Sequence, residues 1–228
     1  QASKSVITYV TISSEGGAND YGDLTRARFM INGHSNNTRG IFTGGYTTTS
    51  PAEHVETIDY VNIASTGNAT SFGEIQSVSG NKWSTFGSGS SPTRGVFGGG
   101  YYGSPGTDVT DIQFITLATK GDSKTFGNLT SARRDVGGLS SSTRAIFAGG
   151  TTAPGDPNST NIVDFVTIAS LGNATDFGDM AEGGRNRPGC ASNSIRGCFA
   201  GGRISGSGVD SISFLTIATT GNTADFGD

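Results

Sequence analysis

The sequence predicts an all-β fold, a β-propeller whose blades are four-stranded repeats. Three observations carry that prediction. A fifteen-residue phrase recurs five times, at 9–23, 60–74, 114–128, 165–179 and 214–228. A second phrase recurs four times between these copies, as Thr-Arg-Gly-Ile-Phe-Thr-Gly-Gly from Thr38 and its relatives from Thr93, Thr143 and Ile195. No segment carries sustained helical periodicity with caps, so helices are expected to be nearly absent.

The spacing of the first phrase is regular. Its leading aromatics, Tyr9, Tyr60, Phe114, Phe165 and Phe214, stand 51, 54, 51 and 49 residues apart. Twelve residues after each comes an aromatic–Gly pair led by Tyr21, Phe72, Phe126, Phe177 or Phe226. Repetition at about 50 residues is the sequence form of a stacked architecture in which each unit buries its faces against its neighbours.

Each unit reads as four strands, a to d. Strand a is weak, as in Val136–Leu139, and strand b is the apolar run that ends in a glycine pair. Strand c is read as Phe165–Ala169, where apolar and small or polar residues alternate as a pleat requires. Strand d carries Asp176-Phe177-Gly178. Gly172-Asn173 between c and d is a hairpin turn, and Ser140–Thr143 is a second tight turn between a and b. The d-strand aromatics Phe72, Phe126, Phe177 and Phe226 are expected to fill the core between units.

Composition agrees with this picture. The chain of 228 residues contains 37 glycines but only 6 prolines, without a three-residue period, which excludes collagen. The net charge of −4 comes from 15 basic and 19 acidic residues with no basic tract, so nucleic acid is not an expected partner. No apolar run approaches the ~20 residues that span a bilayer, and membrane insertion is not expected. The first residues, Gln-Ala-Ser-Lys-Ser, lack the apolar stretch of a signal peptide.

The order Arg-x-x-x-Gly-Gly, apolar run to Gly-Gly, strand-borne aromatic and second aromatic resembles the kelch repeat. In one unit the matching residues are Arg133, Gly149, Gly150, Phe165 and Phe177. Kelch repeats usually end on Trp, where this chain has Phe or Tyr in all five copies. The wording Thr-Arg-Gly-Val-Phe-Gly-Gly-Gly with Gly-Asn-Ala-Thr-Asp-Phe-Gly-Asp is similar to repeats in structural proteins of marine tailed phages, cyanophages above all. That resemblance covers nearly the whole chain and implies a virion or extracellular location.

A meander places the b–c and d–a connections on one face of the stack and the a–b and c–d turns on the other. The b–c loops vary in length and content while the opposite turns are nearly constant. The variable face is therefore the expected recognition surface. Tyr46, Trp83, Tyr101 and Tyr102 are its expected exposed aromatics, suited to stacking on a sugar or anchoring a protein. The expected partners are a cell-surface glycan or protein and other virion or assembly subunits.

The recurring Arg39, Arg94, Arg144 and Arg196 admit two readings: an anion-binding ring, or pairing with the acid after the aromatic–Gly pair, such as Asp23, Glu74 or Asp179. Repetition in every unit favours the second. No catalytic set, metal cluster or cofactor motif can be singled out, so no catalytic residue, metal or cofactor is expected. A structural or assembly domain is the alternative function, and a propeller hydrolase or lyase the remaining one. The Asn-x-Ser/Thr sequons at Asn36, Asn68, Asn128, Asn158 and Asn173 matter only in a glycosylating host.

Two expectations concern geometry. Cys190 and Cys198 flank an a–b turn centred on Asn193-Ser194, which sets them nearly opposite; a disulfide and two small buried thiols are both open. The five c–d phrases outnumber the four a–b phrases. The arrangement expected is one domain, 1–228, with five blade positions, the incomplete one formed by residues 1–25. Four blades plus a hairpin, or an a–b pair supplied by a neighbouring chain, are the alternatives. The edge left by the incomplete blade is the expected site of subunit contact.

Overall fold

The computed structural model describes residues 2–48, 53–77, 83–84, 86–102, 106–152 and 158–228, with only the backbone at 83 and 84. It is all-β, with no α-helix among the described residues. The chain opens on a hairpin of β1 (Lys4–Tyr9) and β2 (Asn19–Arg28). The first full unit holds β3 (Asn32–Ser35), β4 (Arg39–Thr43), the ribbon β5 (Tyr46–Thr47) and β6 (Glu53–His54), then β7 (Thr57–Asn62) and β8 (Thr70–Glu74). The second holds β9 (Trp83–Ser84), β10 (Gly87–Ser90), β11 (Arg94–Gly98), β12 (Tyr101–Tyr102), β13 (Thr107–Asp108), β14 (Asp111–Thr116) and β15 (Lys124–Asn128). The third holds β16 (Gly137–Ser140), β17 (Arg144–Ala148), β18 (Ile162–Thr167) and β19 (Thr175–Asp179). The fourth holds β20 (Gly189–Ser192), β21 (Arg196–Ala200), β22 (Arg203–Ile204), β23 (Ser207–Gly208), β24 (Ile212–Thr216) and β25 (Ala224–Gly227).

Four antiparallel four-stranded meanders result: β3-β4-β7-β8, β10-β11-β14-β15, β16-β17-β18-β19 and β20-β21-β24-β25. Strand c of the third unit starts three residues before the expected Phe165 and ends at Thr167. Ile168 leaves the ladder because its amide donates to Thr143 O in the a–b turn.

The aromatic–Gly pair has a specific geometry. In each sheet the c–d register shifts, so that Ile58 pairs with Gly73 while Asp59 pairs with Ser71. The same slip recurs at Ile112/Gln113, Val163/Asp164 and Ile212/Ser213. Phe72, Phe126, Phe177 and Phe226 are the residues skipped. A bulge of this kind re-aims the side chain it skips. Phe72 enters a core with Phe97, Ile115 and Leu117 of the next unit, and Phe177 joins Phe199, Leu215 and Ile217. Each ring also meets the c-strand aromatic of its own sheet edge-on, as Phe165 and Phe177 do at 5.9 Å.

Units are joined through backbone. Gly67 and Ala69, in the first unit's c–d turn, donate to Tyr21 O and Asp23 O of the preceding hairpin. Gly121 and Ser123 do so to Phe72 O and Glu74 O, Gly172 and Ala174 to Phe126 O and Asn128 O, and Gly221 and Thr223 to Phe177 O and Asp179 O. The turn side chains Asn68, Asp122, Asn173 and Asn222 accept an amide in return. At Gly127 a Cβ would run into Gly172 O, so glycine is what lets the two backbones approach.

The arginine ahead of strand a in the first, third and fourth units is a core residue. Arg28, Arg133 and Arg185 are among the most buried side chains. Arg28 pairs with Asp59 at 2.8 Å and Arg133 with Asp164 at 2.9 Å, with every side chain fully enclosed. Thr25 and Thr130 hydroxyls donate to the same carboxylates at 2.7 Å. Removing one partner of such a pair strands a buried charge, whereas replacing both by apolar groups is often neutral. Asp164→Ala should cost about 3–5 kcal/mol in urea unfolding, and Arg133→Met with Asp164→Leu much less. Equal losses in the two variants would show that the pair is worth its own Coulomb energy.

His34 on β3 packs against strand b of the second unit, its Nδ1 3.3 Å from Gly89 O and its ring 5.7 Å from Phe97. Burial lowers its pKa from 6.5 to about 4. The unfolded chain therefore takes up this proton first as pH falls, so His34 costs no stability above about pH 6.5 and progressively more down to about pH 4. The full loss is about 3 kcal/mol. His34→Leu, which copies Leu139 at the equivalent place in the third unit, should flatten the urea midpoint between pH 7 and pH 4 relative to the parent. An unchanged slope would show that His34 is not buried neutral.

Candidate functional site

The b–c connections and the d–a connections lie together. Each b–c loop is a short ribbon tied to the residue after the buried arginine, or after Trp83 in the second unit: Phe29 bridges Tyr46, Ser84 pairs with Tyr101, Arg134 bridges Thr151 and Asn186 bridges Arg203. Tyr46, Tyr101, Thr151 and Arg203 thus occupy one position in successive units, directly after the glycine pair. Those glycines, such as Gly44 (φ 63°) and Gly45 (φ 117°), adopt the left-handed backbone that turns strand b into the ribbon.

In the first two units this position builds a continuous strip. Phe29 meets Tyr46 at 5.6 Å, Tyr46 meets His54 at 5.1 Å, and His54 meets Tyr101 at 6.1 Å, all edge-on. Arg134 of the third unit lies over the Tyr101 ring, 4.6 Å from its centroid, and pairs with Asp108 at 2.8 Å. Glu53, next to His54 on β6 but on the other face of the ribbon with buried Thr47, pairs with Arg26 at 2.8 Å. The strip is therefore aromatic along its length and charged at its Arg134 end. Burial lowers the pKa of His54 from 6.5, which favours the neutral ring. Burial raises that of Asp108, with Arg134 opposing it.

Of the aromatics expected on this face, Tyr46 and Tyr101 come together through His54. They are half-buried rather than exposed, because each packs against a neighbouring ring. Tyr102 points the other way and packs on the core of the second unit. The Trp83 backbone pairs with Tyr102, and its side chain lies outside the described residues. The expectation of exposure is corrected for Tyr46, Tyr101 and Tyr102, all half-buried, while for Trp83 it falls outside the described residues. His54, Arg134 and Asp108 were not singled out in the sequence. The signal available was positional: Arg134 follows the buried Arg133 and so must lie beside a b–c ribbon.

The Thr-Arg-Gly arginines are also corrected. They do not reach the acids after the aromatic–Gly pair; Asp23, for instance, accepts from Ser5 at 2.8 Å. Instead Arg39 donates to Leu117 O at 2.9 Å, Arg94 to Ile168 O at 2.9 Å, and Arg144 to Ile217 O at 3.0 Å. Each guanidinium also lies over the c-strand ring of its own sheet, at 5.1, 4.7 and 4.5 Å for Arg39, Arg94 and Arg144. Strand b carries the arginine towards the end of the next unit's strand c, where carbonyls have left the ladder and need donors.

The four strands a line a polar cavity of about 380 Å³, reached by Asn32, Ser88, Ser140, Cys190 and Ser192. Among the described residues no group of three or more His, Cys, Asp or Glu could hold a metal. No helix among them is long and apolar enough to cross a membrane.

Cys190 and Cys198 are free thiols. Cys190 pairs with Phe199 and Ala191 with Cys198, so the cysteines are one residue out of register and point to opposite sheet faces. The turn centres on Ser194-Ile195, because Asn193 Oδ1 caps the amides of Ile195 and Arg196 and shifts the hairpin by one residue from the expected centre. Both thiols should alkylate without reductant, read by intact mass; a mass two hydrogens short and inert to the alkylator would indicate a bridge. No protein-family model and no curated protein matches the chain.

Proposed function

We propose that the repeats are blades of a kelch-like β-propeller at five positions about the polar cavity, the first position holding only the β1–β2 hairpin, and that the molecule is a virion or extracellular adhesion module. Its ligand class is a surface glycan. The observation that carries this reading is the strip Tyr46–His54–Tyr101 bounded at one end by Arg134–Asp108. Sugars present apolar C–H faces that stack on aromatic rings and hydroxyls that bond charged or polar groups beside them. A row of rings with an ion pair at one end meets both needs. It is built from loops that vary between units on a scaffold that does not, which is where recognition is commonly placed. The likeness to phage structural repeats supports the virion setting.

The experiment is a glycan array with the intact chain, followed by titration of the best hit. Tyr101→Ala and Arg134→Ala should each weaken binding about tenfold or more, while Arg203→Ala, on the ribbon that lacks aromatics, should not change it. Binding unaffected by Tyr101→Ala, with the fold retained, would remove the strip as the site. A protein ligand found in place of any glycan would keep the face but change the ligand class.

A further inference from the structure

We propose, resting on the glycan reading, that the aromatic strip takes an uncharged sugar and rejects carboxylated or sulfated ones, and that Asp108 sets this choice. The two ribbons place their residues alike. Tyr46 stands opposite His54 in the first, and Tyr101 opposite Asp108 in the second. Residues directly opposite each other share a face, so His54 and Asp108 hold equivalent places beside the two tyrosines. Burial favours the neutral form of His54. The first ribbon thus brings no charge to the strip. The second brings one carboxylate, and the Arg134 guanidinium answers it at 2.8 Å.

That guanidinium is already committed. It lies over the Tyr101 ring, 4.6 Å from the centroid, while its Nη1 donates to Asp108 Oδ1. The Arg134 backbone is fixed by two hydrogen bonds to Thr151. The side chains of Arg134 and Asp108 are only 16% and 10% exposed. A Cβ on Gly106 would run into the Tyr101 ring, so glycine lets the chain entering β13 close on that ring and bring Asp108 with it. The next d–a connection adds Asp135, which is paired with Arg187 at 2.9 Å. Arg134, Asp108, Arg187 and Asp135 therefore sum to zero charge, and an arriving anion meets no net attraction.

A ligand carboxylate or sulfate could take Arg134 only by displacing Asp108. Asp108 would then be an enclosed charge without its partner, which is strongly destabilising. The carboxyl already feels its enclosure: burial pushes its pKa up, Arg134 opposes the rise and Asp135 adds to it. A sugar hydroxyl makes no such demand. A carboxylate has lone pairs for more than one donor, so a hydroxyl can donate to Asp108 while the ion pair stays intact. The C–H face of the same sugar then rests on the strip.

The test is a glycan array of matched pairs, each neutral glycan beside its carboxylated and sulfated forms, with titration of the best pair against the intact chain. The parent should bind the neutral member about tenfold or more tighter. Asp108→Asn keeps the shape but uncovers the Arg134 charge, and should narrow or reverse that preference by about tenfold or more. Asp122→Asn changes the net charge equally on the opposite face, where Asn68, Asn173 and Asn222 hold the equivalent place, and should leave the preference unchanged. A parent that prefers the acidic member, or an Asp108→Asn preference equal to the parent's, would overturn the proposal while the glycan reading stands. An array with no binder of any kind removes the glycan reading and the proposal with it. The parent's preference needs no variant, so an Asp108→Asn protein shown by thermal unfolding to be misfolded does not shield the proposal from refutation.

Discussion

The structure depends on one contact, repeated: a c–d turn laid across the d strand of the unit before it. A d strand would otherwise be the edge of its sheet, with unpaired carbonyls that cost free energy when covered by anything apolar. Here those carbonyls receive two amides from the next turn. The same strand carries the bulged aromatic into the next core, and the glycine after it removes the Cβ that would hold the backbones apart. Hydrogen bonding, apolar burial and close approach are therefore delivered by three consecutive residues, aromatic, Gly and acid or Asn. This explains why that short string changes so little between copies while strand a and the b–c loop drift.

Much of this was legible because the repeat displays its own constraints. The four-strand meander, the absence of helix and the core role of Phe72, Phe126 and Phe177 follow from spacing alone. What escaped were partners that lie in different units. The Thr-Arg-Gly arginine has an acid nearby in sequence terms, yet its guanidinium goes to backbone carbonyls more than seventy residues away. Nothing in a strand pattern marks a carbonyl as unpaired. The cysteines were expected nearly opposite, with Cys190 facing Gly197; the Asx-capped turn moves the centre by one residue and sets Cys190 opposite Phe199, and a pair one residue out of register lies on opposite sheet faces in either case. The aromatic strip needed two loops of different units and Arg134 of a third, a juxtaposition that only the stacking supplies.

A second class of information was present in the sequence as correlated differences between copies. The strand-a side chain of one unit faces the residue after the arginine in the next. His34 faces Gly95, Gly89 faces Ala145, and Leu139 faces Gly197. Large meets small and small meets larger, so each interface keeps its volume although its residues change.

The buried arginine follows the same rule in charge. Where the first and third units hold Arg28 with Asp59 and Arg133 with Asp164, the second has Trp83 and Gln113 at the corresponding positions. Both charges are gone together, so neither is stranded. Gln113 instead bonds the Gln76 carbonyl and accepts from the Ser123 hydroxyl. In the fourth unit the arginine remains but the acid has become Ser213, and the carboxylate is supplied by Glu182, three residues before Arg185. Three solutions to one problem, charge neutrality at an enclosed site, occupy the same place in the fold. A requirement that tolerates a change of residues but never of net charge belongs to the low dielectric of the interior rather than to a ligand. That separates the inner arginines from Arg134, which follows Arg133 directly but carries its guanidinium to the aromatic face.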